Sequence, residues 1–260
     1  MAFTHVADDI TLGRAEVYFR PILAGTSTPQ ASFQYFGNTP GFSLTASTSK
    51  LDHFSSDRGL RVKDKSVLLE VNYTGSMETD NMSFDNLGKF FLGSVSTITQ
   101  ASATGTEETF TDVTKPGLLV LGVTAGNPQG VRGVSAVVVE VGASTKTLGT
   151  DYEVDAVSGG IFIPAGSTIV TGDDVIVTYN SAANTRERMV SSGTQVKGEL
   201  KMIAYNPEGT QKDILCPSVT IAPNGDLALK GEDWLTASFS LEVLAKSATV
   251  AAVYIDGRPA

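Results

Sequence analysis

Cysteine is nearly missing: Cys216 stands alone in 260 residues. No internal disulfide can form, and a small buried hydrophobe is its expected state. Histidine is almost as scarce. His5 and His53 lie far apart, and neither has a cysteine or an acidic cluster beside it at metal-ligand spacing. Basic residues are outnumbered, 19 Lys and Arg against 28 Asp and Glu, for a formal charge of −9. That balance argues against gripping nucleic acid, which relies on clustered cations to displace counterions from phosphates. No window approaches the ~20 consecutive apolar residues of a membrane helix. The start, MAFTHVADDITLGR, lacks the cationic opening and apolar run of a signal peptide. The chain is therefore expected to be made in a cytoplasm and to stay reduced there. It also lacks a GxxxxGK[ST] phosphate loop, a GxSxG elbow and an HExxH pair. The glycine-rich GVTAGNPQG at Gly122–Gly130 does not lead a helix. No catalytic residue, metal site or cofactor is expected.

What the sequence does have is period-two alternation. Ala15, Val17 and Phe19 alternate with Glu16, Tyr18 and Arg20. The same pattern runs through Val67–Tyr73, Lys197–Met202 and Phe239–Val243. Each reads as a strand with one buried and one wet face, the mark of antiparallel sheets. Turn chemistry separates them at Ser158–Gly160, Asn206–Gly209 and Ala222–Asp226.

One helix is expected, in SFDNLGKFFLG. Ser83 is a good N-cap, Asp85 suits the positive helix end, and Gly93 can stop the helix. Phe84, Leu87, Phe90 and Phe91 form an apolar stripe expected to be buried against the sheet, each worth roughly 1.5–3 kcal/mol.

Ser94–Thr114, rich in Ser and Thr, reads as a connector or edge. The block that follows, to about Asn180, has short β-branched strands punctuated by glycine, which suggests a small sandwich. Ser181–Thr194 reads as a second polar connector, after which the first kind of strand resumes. The expected organisation is residues 1–112 and 184–260 as one β domain, with 113–183 inserted into it. Within the insert, Asp151, Glu153 and Asp155 fall on one strand face. A weak calcium site would want that arrangement, and a solvated face is the plainer account.

Phe36–Ser66 opens like a strand, at Phe42 and Leu44, and then runs polar from about Thr45. It reads as a long arm without regular structure. Such loops are uncommon in compact domains and are usually functional or disordered. Leu51, Phe54, Leu60 and Val62 are scattered anchors, and Asp52, Asp57, Arg58, Arg61, Lys63, Asp64 and Lys65 supply charge. The segment fits one that orders by docking on another subunit.

Four pieces occur in a familiar order: GRAEVYF at Gly13–Phe19, FGNTPGFSL at Phe36–Leu44, LDHFSSDRGL at Leu51–Leu60 and SFDNLGKFFLG at Ser83–Gly93. With KGELKMIAYNPEG and WLTASFSLEVLA in the C-terminal piece, Val196–Ala245, the chain resembles the major tail tube proteins of long, non-contractile-tailed bacteriophages. The resemblance implies a mainly β fold: a tail-tube-type β-sandwich or barrel with one flanking α-helix, plus an inserted immunoglobulin-like β-sandwich. It implies hexameric rings stacked into a hollow tube for phage DNA, which passes without specific binding and without catalysis. Implied partners are further copies of the chain, a tape measure protein, a tail terminator and baseplate or tip proteins, with no membrane. The implied location is the phage tail, after synthesis in the host cytoplasm.

Residue by residue, the arm with Asp52, His53, Phe54, Asp57, Arg58, Leu60, Arg61, Lys63 and Asp64 would reach the adjacent ring. Glu70, Asn72, Glu199, Ser240 and Glu242 would face the lumen, where acidic character lets DNA slide. The insert is expected to face outward. A domain of about 70 residues has a radius of gyration near 11 Å by the usual scaling, and six of them would block the channel. Two alternatives stay open: a carbohydrate-binding or adhesin-like β module, and the inner tube of a contractile tail or secretion apparatus.

Overall fold

The computed structural model of the chain describes residues 10–22, 26, 28–57 and 59–259. His5 and Arg58 lie outside the described residues. The described chain is mainly β, with antiparallel ladders and one short helix. It divides into two compact units, Met1–Val95 with Met189–Ala260, and Ser96–Arg188.

In chain order the first unit begins with β1 (Ala15–Pro21), β2 (Gln34–Tyr35), β3 (Gly41–Ser55), β4 (Val62–Thr79) and α1 (Phe84–Phe90). The strand β5 (Gly93–Gln100) leads out of it. The second unit contains β6 (Ala103–Phe110), β7 (Gly117–Val120), β8 (Val134–Val141), β9 (Ser144–Thr145), β10 (Glu153–Asp155), β11 (Gly160–Ile163) and β12 (Val175–Ser181). The strand β13 (Asn184–Ser191) leads back and pairs with β5. The first unit then resumes with β14 (Val196–Ala204), β15 (Lys212–Pro223), β16 (Ala237–Val243) and β17 (Tyr254–Gly257).

The eight strands of the first unit form one antiparallel sheet in the order β2-β1-β14-β15-β16-β4-β3, with β17 also paired to β15. Alternation decides its faces. Val17, Phe19, Leu200, Ile221, Phe239 and Leu241 all point into one core and are buried. Gly198 sits where the Phe19 ring lies against the sheet, and a Cβ there would collide with that ring and with the Arg20 carbonyl. The sheet curls. Ala15 and Val17 of β1 line the same cleft as Phe42 and Leu44 of β3, although the two strands lie near opposite ends of the strand order. Cys216 is fully buried in this core, and the loss of hydration pushes its thiol up to about 11.

The helix forms where the sequence places it. Ser83 is the N-cap and its hydroxyl accepts from the Asn86 N–H. Its buried face differs from the expectation. Asn86, Gly88, Lys89 and Phe90 are buried, Leu87 is half-buried, and Phe84 and Phe91 are exposed. Polar satisfaction explains the choice. The Asn86 amide donates to the Phe36 and Asn81 carbonyls, and Lys89 pairs with Asp85 at 2.8 Å while lying over the Phe36 ring. Phe90 alone of the aromatic stripe reaches the core, edge-on to Phe239 at 5.8 Å.

The second unit packs a four-stranded sheet, β6-β12-β8-β9, and a three-stranded sheet, β10-β11-β7, around a separate core of Leu121, Val139, Ile161, Ile163, Val175 and Val177. Its compact extent, Ser96–Arg188, is wider than 113–183. Ser94–Thr114, expected to be a connector or edge, holds β5 and the edge strand β6, and Ser181–Thr194, expected to be a polar connector, holds β13. β6 pairs with β12 along Ala103–Phe110, and Glu108 accepts the Gly122 N–H and the Tyr179 hydroxyl. Asp151 turns inward and accepts the N–H groups of Thr147 and Thr168, which hold its carboxyl below the usual range. Asp155 caps its own turn, accepting from Ser158 and Val157. Asp151 and Asp155 are thus spent on their local turns, while Glu153 is exposed. Among the described residues no group of three or more His, Cys, Asp or Glu side chains could hold a metal ion.

Candidate assembly surface

The stretch from Thr45 to Ser66 is not a structureless arm. It is the distal part of a β-hairpin whose strands, β3 and β4, pair in antiparallel register from Gly41↔Glu78 to Ser55↔Val62. The reason lies in its composition, since Thr, Ser and Val suit an extended, wet backbone. β16 pairs with β4 only over Tyr73–Thr79. Beyond that point the two strands run on by themselves for roughly 30 Å, at about 3.4 Å per residue. Every described residue from Thr45 to Asn72 is exposed except Ser55, which is half-buried.

This exposure overturns the expectation that Val67–Tyr73 has one buried face. Val67, Leu68, Leu69 and Val71 are all exposed, because β3 is the only described strand paired beside them and both faces of the ribbon are exposed. Leu51, Leu60 and Val62 add to the uncovered apolar surface. Register shifts at Ser49/Lys50 and His53/Phe54 bend the ribbon near its end.

Several of the ribbon's charges are matched across its own strands. Lys63 pairs with Asp52 at 2.7 Å, and Ser66 donates to the same carboxylate at 2.7 Å. Those two hydrogen bonds, Lys63 first, lower the Asp52 pKa. His53 Nδ1 meets Asp64 at 2.6 Å, and the Arg61 guanidinium lies 5.0 Å from the centre of the Phe54 ring. So Asp52, His53, Phe54, Arg61, Lys63 and Asp64 already find partners within one copy. Asp57 and Leu60 sit at the exposed tip. What stays uncovered includes Leu51, Leu60, Val62, Val67, Leu68, Leu69 and Val71, beside exposed Lys50, Asp57, Lys65 and Glu70.

The polar residues assigned to a channel share the sheet face opposite the core. Glu242 pairs with Thr74, Ser240 with Ser76, Asn72 with Ser47 and Glu70 with Ser49, so one face reads Ser, Thr, Asn and Glu across three strands. Glu242, Glu70 and Asn72 are exposed and Ser240 is half-buried. On β1 the same face carries Tyr18, whose hydrogen bond to Glu16 at 2.6 Å raises its pKa to about 12.

Glu199 departs from this group. It is on that face but covered, its side chain only 8% exposed, and it binds both Arg20 and Lys246, the latter at 2.8 Å. Burial raises its pKa, and the hydrogen bonds from Lys246 and Arg20 outweigh that to give a net lowering. It is a structural ion triad rather than a free wall charge. Sequence spacing could not reveal this, because Lys246 comes from beyond the end of β16.

A carboxylate with a depressed folded pKa stabilises above its unfolded pKa and loses that contribution as pH falls through the folded value. Glu199→Gln should therefore cost roughly 1–3 kcal/mol near neutral pH. The gap from wild type should begin to narrow below about pH 4, near the ordinary carboxylate pKa, and close only below the lower folded value. Urea titrations of both proteins at pH 7 and pH 3.5 check this.

The first unit also carries a cleft of about 930 Å³ between its curled ends, lined by Val17, Phe42, Leu44, Met202, Ile214 and Ile255 among others. Together these features define a class: an antiparallel β protein that projects a long, bare hairpin from its main sheet and carries a second β unit midway along its chain. The chain belongs to the family described as Protein of unknown function UCP028589, whose sequence pattern matches residues 11–254. No curated protein matches it.

Proposed function

We propose that the chain is a structural subunit that assembles with copies of itself, as a tube-forming virion protein of the tail-tube kind. The observation that carries this reading is the bare hairpin. A two-stranded ribbon in water is marginal at best, yet this one displays Leu51, Leu60, Val62, Val67, Leu68, Leu69 and Val71 with nothing over them. The outer edge of β3 adds a row of backbone donors and acceptors with no neighbouring strand among the described residues. Exposed edges of this length invite pairing between chains, and assemblies that close a sheet remove them. A second copy is the occupant that meets both needs, because it brings equivalent strands and equivalent apolar surface at equal concentration.

In this reading rings of six copies stack through the hairpin, and the Ser/Thr/Asn/Glu face with Glu70, Asn72, Ser240 and Glu242 borders the channel. The immunoglobulin-like character of the second unit and its outward position belong to the same proposal. No step in it requires catalysis. Sedimentation velocity of the full chain over a hundredfold concentration range tests it. Large species that grow with concentration are expected, and a single monomeric boundary throughout would overturn it.

A further inference from the structure

The second unit holds a group of arginines that its own carboxylates do not neutralise. Arg186 and Arg188 alternate on one face of β13 and line a cleft of about 400 Å³ with Thr97, Thr99, Gln100 and Asn127. Arg132 stands close enough to Arg186 for the two charges to repel. None of the three makes an ion pair among the described residues, although the chain has 28 acidic side chains to offer.

Neutral oxygens hold them instead. Arg186 donates to Asn127 Oδ1 at 3.0 Å, to Asn184 Oδ1 at 3.0 Å, to Gln100 Oε1 at 3.3 Å and to the Gly130 carbonyl at 3.2 Å. Arg188 donates to the same Asn127 oxygen at 2.7 Å and to the Gly126 carbonyl at 2.8 Å. Arg132 donates to the Gln129 and Ser158 carbonyls. Arg132 lowers the Asp155 pKa only as the last of several causes. Burial first, and then Arg132 and Arg188, press the Arg186 pKa below its ordinary value.

Holding like charges together without a counter-charge opposes folding, so the arrangement calls for an anion from outside. Guanidinium forks match carboxylate and phosphate oxygens two at a time. Here Arg186 spends its terminal N–H donors on neutral oxygens, which fixes its charge at the cleft wall, while Arg188 makes one bond from each terminal nitrogen and keeps N–H donors for a ligand. We infer that the cleft lined by Arg186 and Arg188 is an anion-binding site that takes a phosphate or carboxylate group, with the Thr97 and Thr99 hydroxyls as further donors. The inference stands on the second unit alone and does not depend on self-assembly.

Isothermal titration of the full chain with inorganic phosphate, with citrate as the carboxylate probe and chloride as the control, tests it. Saturable binding of phosphate or citrate is expected, and the tighter of the two names the ligand's chemistry. Affinity should fall at least tenfold in Arg186→Gln/Arg188→Gln and weaken with added salt. Arg188→Gln alone, which removes two hydrogen bonds at the cleft wall, serves if the double variant does not fold. Without added anion its melting temperature should equal or exceed that of wild type, because repulsion is relieved. Absence of saturable binding by both probes, or binding unchanged in the variants, overturns the proposal.

Discussion

A chain in which Ser47–Asn72 is replaced by Asn-Gly should fold and fail to assemble. Ala46 pairs directly with Tyr73, so an Asn-Gly turn between them closes a two-residue hairpin of the favoured kind. Everything β16 touches on β4, from Tyr73 to Thr79, is retained. The removed ribbon contributes nothing to the core of the first unit, whose buried members all lie outside it. Stability should therefore change by no more than about 1 kcal/mol, because an isolated two-stranded ribbon is itself marginal. Association is where the loss falls. Uncovered apolar surface contributes about 25 cal/mol per Å² when a partner buries it, and this deletion removes most of that surface from the hairpin. Large species should disappear from sedimentation profiles at concentrations a hundredfold above those at which the full chain assembles. A truncated chain that assembles as before would show that contacts elsewhere hold the copies together.

The largest effect on stability is expected from Phe239→Ala. Phe239 is fully buried in the centre of the first unit's core and meets Phe36 edge-on at 5.4 Å and Phe90 edge-on at 5.8 Å. Removing it takes away the ring on which two others rest, and the surrounding sheet cannot collapse to fill the space. Truncations of this kind cost about 3–5 kcal/mol. Phe84→Ala and Phe91→Ala, on exposed positions of the same helical segment, should each cost less than about 1 kcal/mol. Trp234 is 93% exposed, so its fluorescence is a poor reporter of this core. Circular dichroism in a urea titration is the appropriate readout. Equal losses at Phe84 and Phe239 would contradict the assignment of the helix's buried face.

Much of the first unit was legible because its strands bury one face. Val17 and Phe19, or Phe239, Leu241 and Val243, announce themselves by period two. In the distal hairpin Val67–Tyr73 was legible as a strand, but Thr45–Ser66 was not, for the opposite physical reason: with neither face buried, no hydrophobic period marks it. The same holds for β6 and β13, where Ser, Thr, Glu and Arg hide well-paired ladders. The Ser83 cap could be read because capping is local chemistry, whereas the buried side of the helix is set by Phe36 and Asn81, distant in sequence. Of the polar face, Glu70, Asn72, Ser240 and Glu242 followed from alternation alone. The cover over Glu199 and the arginine group of the second unit required three-dimensional neighbours.

The bare hairpin is expected to be completed by another copy of the chain. Negative-stain electron microscopy of the purified full-length protein tests it most directly. Rings or hollow filaments are the predicted image, and separate particles of monomer size at every concentration would contradict it.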